Sequence, residues 1–184
     1  MRVISGYLKA KKIDGYNTPG TRPTMDRVKE SMFASVQDYI NNAIVLDLFC
    51  GSGSLGIEAL SNGSKTCYFV DNGKEILSIL RKNINNLNIQ DKSIILNKDY
   101  KEALLYFKNN NIKFNIILAD APYKLKVMEE VINLVNEYDL LLDNGILVLE
   151  YSFDTLKDKY NNLVLYKSKK YGDKYVNIYK KIVD

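Results

Sequence analysis

The apolar positions of this chain change period along its length. Met25, Val28, Met32 and Val36 recur at helical spacing, which predicts an amphipathic helix opening at Thr24. Thr24 follows Pro23 and is placed to cap that helix, with Asp26 in its first turn. From Ala43 onward, short apolar runs alternate with longer helical patterns. Strands are expected at Ile44 to Phe49, Thr66 to Val70, Ser93 to Asn97, Phe114 to Ala119 and Gly145 to Glu150. Helices are expected at Ser54 to Asn62, Lys74 to Leu87, Lys101 to Asn109 and Lys126 to Asn136, with a weaker one near Asp154 to Tyr160. In the second of these, Ile76, Leu80, Ile84 and Leu87 should face inward.

Such alternation builds a parallel sheet covered on both faces. Two last strands, Asn162 to Ser168 and Tyr175 to Lys181, are separated by too few residues for a crossover, so they should form an antiparallel hairpin. The expected fold is α/β, with a mostly parallel seven-stranded sheet ending in that hairpin. Asparagine clusters at 85–86, 109–111 and 161–162 read as turns. Residues 1–23, a short strand at Arg2 to Ser5 and an arm punctuated by Gly and Pro, read as an extension to a domain over 24–184.

Composition narrows the function classes. The chain has 184 residues, 46% hydrophobic and 26% charged, enough for one domain with a sizeable core. Its apolar runs fall far short of the roughly 20 residues that span a bilayer, and no signal peptide is visible, so a cytoplasmic protein without a membrane partner is expected. With no histidine, Ser-His-Asp chemistry and most zinc sites are excluded; Cys50 and Cys67 have neither disulfide nor metal-ligand spacing. Cys50 lacks a histidine to activate it and reads as a packed thiol. Charge is uneven: residues 1–30 hold seven Lys/Arg against three Asp/Glu, and residues 157–184 hold eight against three, around an acidic middle. Basic ends suit nucleic acid, though lysines also simply solubilise exposed termini.

The first strand leads into VLDLFCGSGSLGIEAL, a G-x-G-x-x-G of Gly51, Gly53 and Gly56 between strand and helix. Gly51 permits the tight turn, Gly53 is read as allowing a ligand to approach the backbone, and Gly56 lets the helix pack closely. Asp71 ends the next strand, twenty positions after Gly51, where a carboxylate accepts bonds from ribose hydroxyls. A dinucleotide would place its pyrophosphate at the helix N-terminus, which an acid just before the glycines opposes. Asp47 is such an acid and suits a cationic ligand end, which favours S-adenosylmethionine; a carboxylate satisfied by the loop's own N–H groups is the alternative.

The fourth strand ends ILADAPYK. In an open parallel sheet, ligands bind beyond the strand carboxyl ends near the switch in strand order, so Asp120 falls beside the glycine loop. Asp120 and the carbonyl of Ala121 can each accept an N–H from an exocyclic amine and orient it toward a methyl donor. Pro122 restricts Ala121 to extended conformations. Tyr123 offers a ring for a base, and such stacking contributes about 1–3 kcal/mol. An incidental turn is the bland alternative.

D-A-P-Y resembles the [DN]-P-P-[YF] signature of amino-group methyltransferases. Together with RPTMDRVKESMF (22–33) and LDLFCGSGSLGIEAL (46–60), it resembles the bacterial RsmD family, which methylates guanine N2 in small-subunit ribosomal RNA. The likeness covers nearly the whole chain, including the basic start MRVISGYLKAKKI and the closing YGDKYVNIYKK; it departs at Ala121, where the family usually has Pro. It implies a Rossmann-like class I methyltransferase using S-adenosylmethionine, lined by Asp47, Gly51, Gly53, Asp71, Asp99 and Asp120. Asp99, followed by Tyr100, would meet the adenine amine, with a helix cap as its other role. Arg22 and Thr24 would lie near the methionine end or the target nucleotide, and Lys9, Lys11 and Lys12 of the basic arm would contact RNA. The implied partner is 16S rRNA or a small-subunit assembly particle, the enzyme a monomer, and the chemistry requires no metal. Rival readings are a methyltransferase of DNA adenine or protein glutamine, a nucleotide-cofactor oxidoreductase, and a non-catalytic RNA-binding protein.

Overall fold

The computed structural model describes residues 1–15, 22–122, 125–152 and 155–183, with the side chains of 22–24 also outside that set. Its elements in chain order are α1 (Arg22–Ile40), β1 (Ile44–Leu48), α2 (Ser54–Ser61), β2 (Thr66–Asp71), α3 (Lys74–Asn86), β3 (Ser93–Asn97), α4 (Tyr100–Asn109), β4 (Phe114–Asp120), α5 (Met128–Glu137), β5 (Leu141–Tyr151), β6 (Lys159–Tyr160), β7 (Leu163–Tyr171) and β8 (Lys174–Lys181). The strands form one eight-stranded sheet, not the seven-stranded one expected, in the order β3-β2-β1-β4-β5-β8-β7-β6; the short β6 is the added strand. β1 to β5 run parallel; β8, β7 and β6 pair antiparallel. Strand order reverses between β1 and β4, the place where such sheets open a crevice.

Burial sets this order. β1 and β4 are apolar on both faces and occupy the centre, where both faces are covered. Val45, Ile116, Leu118, Ile146 and Val148 pack on one side with residues of α1, α2 and α3. Leu46, Leu48, Ile117, Leu147 and Leu149 pack on the other with α4 and α5. Burying each such side chain contributes about 1.5–3 kcal/mol. As expected, Ile76, Leu80, Ile84 and Leu87 are buried.

Five further expectations need correction. α1 begins at Arg22, so Thr24 lies inside its first turn rather than capping it; Pro23 is tolerated there because the first helical N–H groups have no intrahelical partner. Met25 is 42% exposed, while Val28, Met32 and Val36 are buried. Asn85 and Asn86 end α3, and the left-handed residue that turns the chain is Asn88. The segment Arg2 to Ser5 is not a regular strand; it makes a single antiparallel bridge, Arg2 to Lys12. Among the described residues no helix occupies 155–160: Lys159–Tyr160 is strand β6, turned back at Asn161 (φ 53°) to pair with Leu163 and Val164. Tyr160 decides this by burying its ring edge-on against Tyr179.

The first fifteen residues share the core: Val3, Leu8 and Ile13 are buried with the α1 side of the sheet. A buried ion pair fastens them. Lys29 of α1 lies 3.2 Å from Glu58 of α2, and Glu58 also accepts the N–H groups of Ile4 and Ser5, each at 2.9 Å. Lys29 donates to Ser54 Oγ as well, so neither charge is left without partners. No helix of the described residues is long and apolar enough to cross a membrane.

Candidate active site

A cleft of about 810 Å³ opens beyond the carboxyl ends of β1, β2 and β4; its lining includes Phe49, Gly51, Asp71, Asp99, Tyr100 and Asp120. Gly51 follows β1 with φ 54°, and a side chain there would meet only Ile76, at 3.9 Å. That face of the loop is open to the cleft. Asp71 joins the loops: Oδ2 accepts Gly51 N–H at 3.0 Å and Oδ1 accepts Gly73 N–H at 2.9 Å. Each oxygen keeps a further acceptor site, as a ribose diol requires. Asp99 caps α4 by accepting from Lys101 and Glu102, both on Oδ1, and Oδ2 retains its capacity. Both roles expected for Asp99 are therefore compatible. Tyr100 packs on Phe49 with ring centroids 5.3 Å apart, making an aromatic wall. Burial, then the nearby Glu130, raises the Tyr100 phenol.

Two glycine-loop positions have partners in the protein itself. Gly53 (φ 93°) is turned away from the cleft: a Cβ there would sit 2.3 Å from Leu80 and 3.2 Å from Ile57. Its N–H is already given to the Cys50 carbonyl. Core packing by itself accounts for glycine at position 53. Gly56 behaves as expected, with a Cβ position 2.4 Å from Phe69 of β2. Asp47 lies buried beneath the loop, its Oδ2 accepting Gly56 N–H at 2.9 Å. The alternative noted for it, satisfaction by the loop's own N–H groups, is what the structure displays. Burial, with Asp71 adding to it, pushes the Asp47 carboxyl up to about 7 despite that bond.

At the other end of the cleft, Asp120 ends β4 and is register partner to Glu150 of β5. Lys174, opening β8, lies 2.9 Å from Glu150 Oε1 and also lines the cleft. Burial and the facing Glu150 carboxylate hold the Asp120 carboxyl well above the usual range, against the pull of Lys174. The two acids and the lysine thus meet at one end of the cleft. Beneath it is a pocket of about 70 Å³ lined by Met25, Lys29, Ser54, Asp120 and Glu150, among others. Ala121 is buried and Pro122 exposed, both at the cleft.

A model of the family described as Conserved hypothetical protein 95 matches residues 1–180. Ribosomal RNA small subunit methyltransferase D of Haemophilus influenzae is 33% identical over 159 residues, 86% of this chain and 80% of that one. The chain belongs to this family, the RsmD family. YlbH of Bacillus subtilis is 36% identical over 182 residues, 98% of this chain and 99% of that one. Among solved structures, yhhF of Escherichia coli superposes with a TM-score of 0.85 at 28% identity, covering 100% of this chain and 99% of that one.

In this RsmD-family chain the fold brings Gly51, Asp71, Asp99, Tyr100, Asp120, Ala121 and Pro122 to one cleft. It does not bring Lys9, Lys11 or Lys12 there. Tyr7 and Leu8 bond Ser61, the last residue of α2, so the hairpin tip carrying Lys9 sits at the far end of that helix. Eight residues of helix put that end about 12 Å from its start. Lys11 and Lys12 lie on the returning segment, exposed. Tyr123 and the Arg22 side chain fall outside the described residues.

Sequence reasoning missed Phe49, Glu150, Lys174 and Met25. Glu150 had a signal: ILVLE ends on an acid as ILAD does. Phe49 had none, since its left-handed φ of 63°, strained for a bulky residue, is visible only in the fold.

Proposed function

We propose that this protein is an S-adenosylmethionine-dependent methyltransferase acting on the exocyclic N2 of a guanine in small-subunit ribosomal RNA, naked or in an assembly particle. The observation that carries the reading is the placement of Asp120 across the switch point from an uncovered glycine turn, within one cleft. The residues fit the cofactor: Asp71 has acceptors for a ribose, Phe49 and Tyr100 offer flat apolar surface, and Gly51 leaves the backbone bare. Asp99 Oδ2 is available for an adenine amine. Family membership and relatives named for small-subunit ribosomal RNA support the substrate class.

When bound, the cofactor supplies an electrophilic methyl group on a positively charged sulfur. Asp120, once ionised, and the Ala121 carbonyl accept the two N–H bonds of the amine and aim its lone pair. As nitrogen takes the methyl group, its N–H bonds become more acidic, and Asp120 is placed to receive the proton. Lys174 and Glu150 fix the Asp120 carboxyl and set when it is charged. Tyr123 stacks on the base. The target guanine enters unstacked from its helix. Catalysis resides in residues 24–184, the enzyme works as a cytoplasmic monomer, Lys9, Lys11 and Lys12 contact RNA outside the cleft, and Arg22 contacts the RNA near the target nucleotide.

Small subunits from cells lacking the gene test this. Incubation with the protein and labelled S-adenosylmethionine should label the small-subunit RNA at one guanine, identified as N2-methylguanosine by mass spectrometry. Label in DNA or protein instead, or binding of NADH rather than the cofactor's demethylated product, would replace this reading with one of its rivals.

A further inference from the structure

The last two strands carry charge that the cleft does not use. Residues 163–181 hold six lysines and a single acid, Asp173. Lys174 is held by Glu150, and Lys181 by Asp139 and Asp143. Lys167, Lys169, Lys170 and Lys180 form no ion pair among the described residues. Aromatic rings interleave with them. Lys180 lies over Tyr166 at 5.8 Å and over Tyr39 at 5.5 Å, and Lys170 lies over Tyr175, which stacks on Tyr151. Tyr166 itself is 56% exposed.

Register ties this surface to the reaction. Asp120 pairs with Glu150, Glu150 with Val176, and Val176 with Lys169, a straight line across four strands. At about 4.8 Å per strand, Lys169 stands about 14 Å from Asp120. That is about four steps of nucleic acid at roughly 3.4 Å per phosphate along one strand. Lys167 pairs with Ile178, and Tyr171 with Lys174, on the same face; Lys170 faces the other side.

We propose that the β7–β8 hairpin is an RNA-docking surface, Lys167 and Lys169 binding phosphates next to the nucleotide held in the cleft and Lys170 continuing the basic surface around the open edge of β7. The proposal rests on the methyltransferase reading and adds a surface to it. Edge protection is the competing explanation: β6 covers β7 only at Leu163 and Val164, and lysines discourage pairing along an open edge. Edge protection, however, requires neither one sign of charge nor alignment with the cleft. Clustered like charges repel, and a polyanion relieves that repulsion. Stacking platforms between cations are also what an unstacked RNA strand uses.

The test compares the full-length protein with Lys167→Ala/Lys169→Ala/Lys170→Ala and with the corresponding triple arginine variant. The probe is small-subunit particles lacking the modification, titrated at several salt concentrations. Alanine should lower affinity about tenfold or more at low salt. It should flatten the log K against log salt slope by about 2–3, since each lost phosphate contact removes about 0.7–0.9. Arginine should restore both. The melting temperature and affinity for the demethylated cofactor should match the parent in both variants. Parental affinity and slope in the alanine variant overturn the proposal, as does equal loss in the arginine variant. So does dimerisation of the alanine variant with unchanged RNA binding, which would make the lysines edge guards. If the parent itself binds no particle, the methyltransferase reading falls and this inference with it; if the parent methylates and the alanine variant does so equally, only the hairpin inference falls.

Discussion

Replacing Gly51 and Gly53 separately by alanine should split one glycine motif into two different physical roles. Both residues have left-handed φ, 54° and 93°, which costs an alanine about 1–2 kcal/mol. Their surroundings differ. A Cβ on Gly53 would lie 2.3 Å from Leu80, 3.2 Å from Ile57 and 3.3 Å from Phe69. All three are fully buried, so they yield only by shifting packed neighbours. Overpacking of this kind adds about 1–3 kcal/mol. A Cβ on Gly51 meets one atom, at 3.9 Å, and adds nothing. For a domain of this size, 1 kcal/mol moves the melting temperature by about 2–4 °C. Gly53→Ala should therefore melt below Gly51→Ala by roughly 2–12 °C. Affinity should rank the other way. Titration calorimetry with the demethylated cofactor, well below both transitions, should show Gly51→Ala weakened and Gly53→Ala close to the parent. A Gly53→Ala protein that melts with Gly51→Ala, or loses cofactor instead of stability, refutes the assignment of Gly53 to the core.

Asp47→Asn should change the pH dependence of stability. The Asp47 carboxyl is raised to about 7 from 3.8, so its folded-state benefit is full below pH 4 and lost as pH climbs to 7. The melting-temperature gap in favour of Asn should widen over that window and then level, corresponding to about 4 kcal/mol at most; a gap independent of pH would show the carboxyl already charged at pH 4. Lys29→Met strands the buried Glu58 and should cost about 3–5 kcal/mol in denaturant unfolding; a cost below 1 kcal/mol would mean water reaches that acid. Asp120→Ala should slow methyl transfer greatly while leaving cofactor affinity intact, and Asp120→Asn should retain more activity, measured by single turnover on unmodified particles. Because Glu150 raises the Asp120 carboxyl, Glu150→Gln should move the acidic limb of the pH–rate profile to lower pH; a shift to higher pH would break the proposed coupling.

The β/α alternation, the closing hairpin and the glycine turn were legible in the sequence because each rests on local spacing. Apolar runs of five or six residues bounded by turn residues can bury both faces only inside a covered sheet. Asp71 and Asp120 were legible for the same reason: each is the polar residue at which such a run stops. Expecting a helix near 154–160 failed over 155–160 because local propensity does not register that Tyr160 buries itself against Tyr179, nineteen residues away in sequence. The core contacts of Gly53 were not legible, because a motif shows that a side chain is forbidden, not which neighbour forbids it. Leu80 and Phe69 come from later elements. The distance of Lys9 from the cleft followed from how residues 6–8 dock on the end of α2. The cluster of Asp120, Glu150 and Lys174 was likewise a decision of strand order. It joins three residues spread over fifty-five positions because β4, β5 and β8 lie side by side. Spacing along the chain determined which elements form and where each carboxylate ends its strand, whereas the pairing of distant strands determined which charges meet, and so which buried carboxyl is raised by a neighbouring acid.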